Sequence, residues 1–224
     1  MFLNRNSGSI YSFWGIDTQP QRLGVTVKFA NKSDHILDLG SGRGAYTHAL
    51  SQMGLNVVGF DLNLYPDWII ASNKKFVVGT GTKLPFGDKA FDITIAFEVL
   101  EHIPDPGQAL REIARCTKKQ FIFSVPNCDI NNKLRRYDLA MAHWTDPTHC
   151  NFFTKDTLTA FLSGNDFEIV EMIDCYRISP NDYYWDSIKL PHILTKIPKS
   201  IINKLKLAEV YWSSILVVAN VPVE

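Results

Sequence analysis

The sequence predicts a single α/β domain on a mostly parallel sheet, and three observations carry that expectation. Short strand-like runs, HILDL, NVVGFD, KFVV, FDITIAF and QFIFSV, alternate with amphipathic stretches such as THALSQM and GQALREIARCTKK, the rhythm of βαβ units. A glycine-rich turn joins the first run to the first amphipathic stretch. The chain has 224 residues, enough to bury a sizeable core without disulfides or metals.

Taken in order, HILDL opens the sheet, THALSQM is its first crossover helix, and NVVGFD is the second strand. Only about a dozen residues, Leu62 to Asn73, then separate that strand from KFVV, so any helix there must be short or missing. FDITIAF and QFIFSV flank a helix over GQALREIARCTKK. Beyond Ser124 the pattern loosens into a polar and aromatic segment, a helix over Thr154 to Ser163, then FEIVEMIDCY and YWSSILVVANV, expected to pair antiparallel. Two connections, Pro126 to Asn151 and Ile178 to Glu209, are longer than the alternation requires, which in a compact domain points to substrate-facing structure.

Composition narrows the partners. Basic and acidic residues balance at 23 each, so no global field recruits nucleic acid or an anionic membrane. The four cysteines form no CxxC pair, which argues against a zinc site and fits reduced thiols in a cytoplasm. The first residues, MFLNRNSGSIYSFWG, lack a signal-peptide core, and SILVVANV falls far short of the roughly 20 residues a transmembrane helix needs.

The chemistry starts at ILDLGSGRGAYTHAL, a strand ending near Asp38, the turn Gly40-Ser41-Gly42-Arg43-Gly44, and a helix. Glycines let backbone approach a ligand closely, and in open α/β sheets ligands lie beyond the carboxyl ends of the strands. Asp61 ends the next strand about 20 residues on, where a carboxylate can accept from ribose hydroxyls. A tight turn with Asp61 as a helix cap is the plainer reading, and a nicotinamide dinucleotide also fits these two features.

GTGTKLPFGDKAFDITIAFEVLEHIPDP, from Gly79 to Pro106, makes the choice specific. With the two preceding motifs in order, it resembles the class I S-adenosylmethionine (SAM)-dependent methyltransferases. The likeness runs from Ile36 to about Pro126 and continues more weakly in THCNFFTKDTLTAFL; EVLEHIPDP is nearest to the ubiquinone-biosynthesis O-methyltransferases. The resemblance implies a Rossmann-like fold, a seven-stranded mostly parallel sheet with an antiparallel last strand. It also implies SAM as cofactor, with residues 1–34 as an N-terminal cap, 35–125 as the SAM-binding half and 126–224 as the acceptor-side half carrying insertions 126–151 and 178–209.

By the same resemblance, Asp38 and the backbone of Gly40, Gly42 and Gly44 hold the methionine end and Asp61 takes the ribose hydroxyls. Leu62 lies against the adenine, Thr80 and Gly81 meet its edge, and Phe97 sits near the methionine portion. Arg22, in QPQRLG, resembles an arginine that reaches the cofactor carboxylate; a surface arginine is the alternative. Two departures stand out. Thr80 replaces the family's usual Asp, although a hydroxyl still accepts a hydrogen bond, and the short Leu62–Asn73 link leaves the adenine pocket more open.

Methyl transfer asks the protein mainly to align donor and acceptor and exclude water, but a hydroxyl acceptor can also need a base. His102, His143 and His149 are candidates, and His102 and His149 are assigned as catalytic. Glu98, Glu101 and His102 form an E-x-x-E-H array which, with His149, is compatible with a divalent cation, as in the small-RNA 2'-O-methylating relatives. The simpler reading, carboxylates capping and solvating a helix start, is adopted, and no metal is assigned. Aromatics such as Tyr11, Trp14, Tyr137, Trp144, Phe152 and Trp185 supply material for an acceptor pocket or for packing.

The expected function is methyl transfer from SAM to a small molecule, preferably at oxygen. The alternatives are a non-catalytic protein that binds SAM or S-adenosylhomocysteine on the same fold, and a nicotinamide-dependent oxidoreductase, which the short G-x-G-x-G turn and the downstream motifs disfavour.

Overall fold

Successive residues of β1 (His35–Leu39) bury themselves on opposite faces of a sheet. Ile36 joins a cluster with Tyr46, Leu50 and Val57, whereas Leu37 and Leu39 join Leu110, Ile113 and Phe121. A parallel strand covered on both faces reads as a nearly continuous apolar run, and that is what the sequence shows here.

The computed structural model describes residues 18–70, 75–130, 144, 146–178 and 211–222. The remaining strands are β2 (Asn56–Asp61), β3 (Phe76–Val78), β4 (Phe91–Phe97), β5 (Thr117–Pro126), β6 (Glu168–Ile178) and β7 (Tyr211–Asn220). They form a seven-stranded sheet in the order β3-β2-β1-β4-β5-β7-β6. Strands β3 through β5 pair in parallel, and β7 runs antiparallel to both neighbours, so Leu216 faces Ser124 on one side and Ile173 on the other. The expected sheet, with its reversed last strand, is therefore the observed one.

Helices cover both faces. On one side α1 (Pro20–Phe29) and α2 (Ala45–Gln52) pack through Leu23, Val25, Tyr46 and Leu50. On the other, α4 (Pro106–Cys116) buries Ala109, Leu110, Ile113 and Cys116, a spacing that keeps one face apolar. Its start is set by Asp105, whose carboxylate accepts from Gln108 N–H at 2.9 Å, and by Pro106 in the first turn. The sequence placed this helix through Lys119, but it stops at Cys116. Thr117 is drawn into β5, where its hydroxyl lies 2.6 Å from that of Thr94, both fully buried.

The Leu62–Asn73 link holds only a five-residue α3 (Pro66–Ile70), as its length required. The helix α5 (Lys155–Ser163) starts in a capping box at Thr154 and Thr157. Among the described residues no helix is long and apolar enough to cross a membrane, and no disulfide links the four cysteines.

Candidate active site

The carboxyl ends of β1 and β2 build the first part of the site. Gly40, Gly42 and Gly44 all have positive φ, at 74°, 53° and 92°. The N–H groups of Gly40 and Ser41 both donate to the carbonyl of Phe60, at 2.7 and 3.0 Å, which folds the turn back on β2. A Cβ on Gly40 would collide with the Val99 side chain, so both conformation and space demand glycine there.

Asp61 reaches over this turn. Its carboxylate accepts from Gly42 N–H at 2.9 Å and from Asn63 N–H at 3.0 Å. Burial raises its pKa although those backbone donors oppose the shift. The carboxylate keeps acceptor capacity beyond these bonds, so a ligand hydroxyl can still be met. Leu62, 69% exposed, projects beside it, and Gly79 N–H donates to the Asp61 carbonyl at 2.9 Å, which brings Thr80 and Gly81 alongside. The Thr80 hydroxyl lies 2.9 Å from that of Thr82.

Asp38 is almost fully buried, and the Thr47 hydroxyl donates to it at 2.6 Å. Burial, only partly offset by Thr47, pushes its carboxyl up to about 7. Arg22 is buried too, which overturns the surface reading. Its guanidinium pairs with Glu98, reaches Ser214 at 3.5 Å and stands 5.6 Å from the Phe97 ring centre. Phe97 in turn lies 4.7 Å from Tyr46, whose hydroxyl accepts from Gln19 N–H. Ser41 Oγ and Arg22 Nε, both buried, have no hydrogen-bond partner among the described residues.

The E-x-x-E-H array departs from the adopted reading. Glu98 adopts φ 56° and pairs inward with Arg22 and with Ser124 Oγ at 2.9 Å, so it solvates nothing. Only a short 3-10 turn, Leu100–His102, follows. Glu101 is fully buried, and neither carboxylate oxygen has a hydrogen-bond partner among the described residues. Burial, followed by the charge of Glu98, drives its pKa well above the usual carboxylate range. The capping assignment fails because the chain turns left-handed at Glu98 instead of starting an α-helix.

His102 and His149, far apart in sequence, come together with ring centres 4.5 Å apart at 76°. What joins them is the 146–153 stretch: the N–H groups of Cys150 and Asn151 donate to the Glu101 carbonyl at 2.9 and 3.1 Å, and Asn151 Nδ2 donates to the Ile103 carbonyl at 2.7 Å. Burial and the neighbouring His149 lower the His102 pKa. Glu101, His102 and His149 offer donor atoms all within 4.8 Å of one another. Trp144 and Phe152, both exposed, stack at 4.4 Å. His143, Tyr137, Tyr11, Trp14, Trp185, most of the 126–151 insertion and nearly all of 178–209 lie outside the described residues.

Sequence reasoning missed Tyr46, Trp68, Asp146 and Thr148. Trp68 donates from Nε1 to the Gly42 carbonyl at 2.9 Å and stacks on Phe76 at 4.6 Å, while Arg43 pairs with Asp67 at 2.8 Å, so α3 is tied to the glycine turn. A large aromatic in a link too short for a full helix was the available signal. Asp146 and Thr148 could be seen only as the start of a polar turn.

A family profile described as a methyltransferase domain matches residues 16–172. A ubiquinone biosynthesis O-methyltransferase of Aliivibrio fischeri is 28% identical over 130 residues, covering 51% of this chain and 54% of that protein. The chain therefore matches about half the length of this curated relative. A SAM-dependent methyltransferase from Archaeoglobus fulgidus superposes with a TM-score of 0.59 at 20% identity, over 89% of this chain and 91% of that one. The 1,6-didemethyltoxoflavin-N1-methyltransferase of Burkholderia thailandensis, solved with its substrate and S-adenosylhomocysteine, superposes with a TM-score of 0.60 at 17% identity, over 91% and 78%. With a sheet whose overall fold superposes on these solved methyltransferases, and with the family profile matching most of its length, the chain belongs to the methyltransferase-domain family.

Proposed function

We propose that this chain transfers a methyl group from SAM to a small molecule, with a hydroxyl oxygen as acceptor. The observation that carries the reading is the pairing of two unsatisfied zones. Ser41 Oγ in the glycine turn and Arg22 Nε beside Phe97 are buried without partners, and Glu101 and His149 are so at the end of β4. Buried polar atoms are rarely left unpaired unless something else meets them, and here they flank the carboxyl ends of the strands where ligands bind in such folds.

The residues present fit the cofactor. Positive-φ glycines leave the turn backbone open to close approach, Asp61 retains acceptor capacity for hydroxyls, and the Leu62 side chain offers an apolar face. Arg22 carries the positive charge suited to a carboxylate, and Asp38 the acidic group suited to an amine. SAM, when bound, supplies a methyl group on a sulfonium that departs as a neutral thioether. The protein's part is alignment, exclusion of water and, for a hydroxyl acceptor, removal of its proton by His102 or His149. The oxygen preference rests on the EVLEHIPDP likeness to ubiquinone-type enzymes; the structural likeness to an N1-methyltransferase makes nitrogen the alternative.

A second reading is favoured by one observation, the donor set of Glu101, His102 and His149 within 4.8 Å. A divalent cation there would hold Glu101 ionised despite its burial and could orient an acceptor oxygen.

The test is calorimetry with SAM, S-adenosylhomocysteine and NAD, followed by transfer of labelled methyl to a panel of phenols, catechols, alcohols and amines. Binding of the first two with turnover on a hydroxyl is the expected result. Binding without turnover on any acceptor supports the non-catalytic alternative, and binding of NAD alone defeats both.

A further inference from the structure

The stretch that docks on the end of β4 brings a carboxylate, a hydroxyl and two imidazoles into one chain. Asp146 Oδ1 accepts from Thr148 N–H at 2.9 Å and from the Thr148 hydroxyl at 2.6 Å. The same hydroxyl oxygen lies 2.9 Å from His102 Nδ1. The other carboxylate oxygen of Asp146 faces His149 Nε2 at 3.8 Å.

A proton count decides the direction of these bonds. Asp146 Oδ1 takes both the N–H and the O–H of Thr148, so toward this residue it acts as the acceptor. A threonine hydroxyl has a single proton. With that proton committed to Asp146 over the shorter distance, Thr148 Oγ1 presents only lone pairs to the ring. The hydrogen between Thr148 and His102 has to come from the imidazole.

We propose that Asp146, acting through Thr148, fixes neutral His102 in the tautomer protonated on Nδ1, so that Nε2 carries the lone pair. Asp146 and Thr148 are positioning residues, and their place in catalysis rests on the reading of His102 given above. A general base needs its lone pair aimed at the proton it takes, and a cation-binding imidazole needs its other N–H held by an acceptor. One tautomer serves both. Local structure supplies the precision: the bond from Thr148 N–H back to Asp146 is a tight turn of two residues' span, and the Cys150 and Asn151 N–H bonds to the Glu101 carbonyl dock that turn on β4.

The experiment is a long-range proton–nitrogen correlation on the full chain labelled at histidine nitrogen, without added cation and above neutral pH. His102 is assigned by its loss in His102→Gln. The expected result is the Nδ1-protonated pattern in the wild type and in Thr148→Ser, converting to the Nε2-protonated pattern in Asp146→Ala, where the freed hydroxyl proton turns to the ring. An Nε2-protonated wild type overturns the proposal, as does an Asp146→Ala protein whose pattern is unchanged. Since the readout is the ring and not turnover, it stands apart from the function. Asp146→Ala should also lower turnover at least tenfold with unchanged SAM affinity, and a converted tautomer with full turnover removes His102 from the chemistry while leaving the proposal intact.

Discussion

The guanidinium of Arg22, on α1, is ion-paired with the carboxylate of Glu98 at the end of β4, 76 residues away. Both side chains are largely buried, so the pair fastens the N-terminal helix to the mouth of the sheet. Glu98 occupies left-handed backbone at φ 56°, a conformation that persists only where surrounding contacts fix it. Arg22→Met should therefore destabilise the fold by about 3 kcal/mol or more, because a carboxylate is left uncompensated. The double variant Arg22→Met/Glu98→Gln should recover most of that loss. Urea melts of all three proteins check it, and equal losses in single and double variants would show that the pair does not couple.

Asp38 gives a pH dependence with a definite sign. Its folded carboxyl titrates at about 7 against an ordinary value of 3.8, so between those values the folded protein keeps a proton that the unfolded chain releases. Its contribution to stability is thus highest below about pH 4, falls as pH rises toward 7 and is level beyond. Subtracting the melting profile of Asp38→Asn from that of the wild type should isolate this fall. If Asp38 meets the cofactor's amine, SAM affinity should rise over the same window in the wild type and stay flat in the variant.

Gly40 is predicted to be irreplaceable for two separable reasons. Left-handed backbone costs an alanine about 1 to 2 kcal/mol, and its Cβ would also run into Val99. Gly40→Ala should lower stability by more than that first figure, with Val99→Ala restoring only the steric part. Thermal melts of the double-mutant cycle measure the two contributions, and full additivity would exclude the clash.

Asp61→Ala should weaken SAM binding by about 1 to 3 kcal/mol, the usual cost of losing hydrogen bonds to a charged acceptor. Because Asp61 also holds Gly42 N–H, some loss of stability is expected beside it. Calorimetry against a chemical melt separates the effects, and a folded variant with wild-type affinity would remove Asp61 from the site.

His102→Gln and His149→Gln should each lower turnover roughly 100-fold on a hydroxyl acceptor while SAM affinity holds, the typical worth of general-base catalysis. Loss of activity in EDTA, restored by magnesium or manganese, would favour the cation at Glu101, His102 and His149. Activity that survives EDTA would leave the base reading alone.

The sequence by itself determined the sheet and the glycine turn at the end of its first strand. HILDL, NVVGFD and FDITIAF are strands with the boundaries their apolar runs suggest, because a parallel strand buried on both faces leaves an uninterrupted hydrophobic signature. The glycine turn and Asp61 were legible because backbone conformation and strand-end position are local properties. The cluster at the end of β4 was not. The sequence presents Glu101 as a solvated cap, since nothing in E-x-x-E-H reveals that Glu98 turns left-handed and pairs with an arginine from α1. The meeting of His102 with His149, and of both with Asp146 and Thr148, was decided by backbone bonds from Cys150 and Asn151 to Glu101. Hydrophobic periodicity records which face of an element is buried, but polar contacts between residues distant in the chain leave no period behind, and only the folded structure sets them.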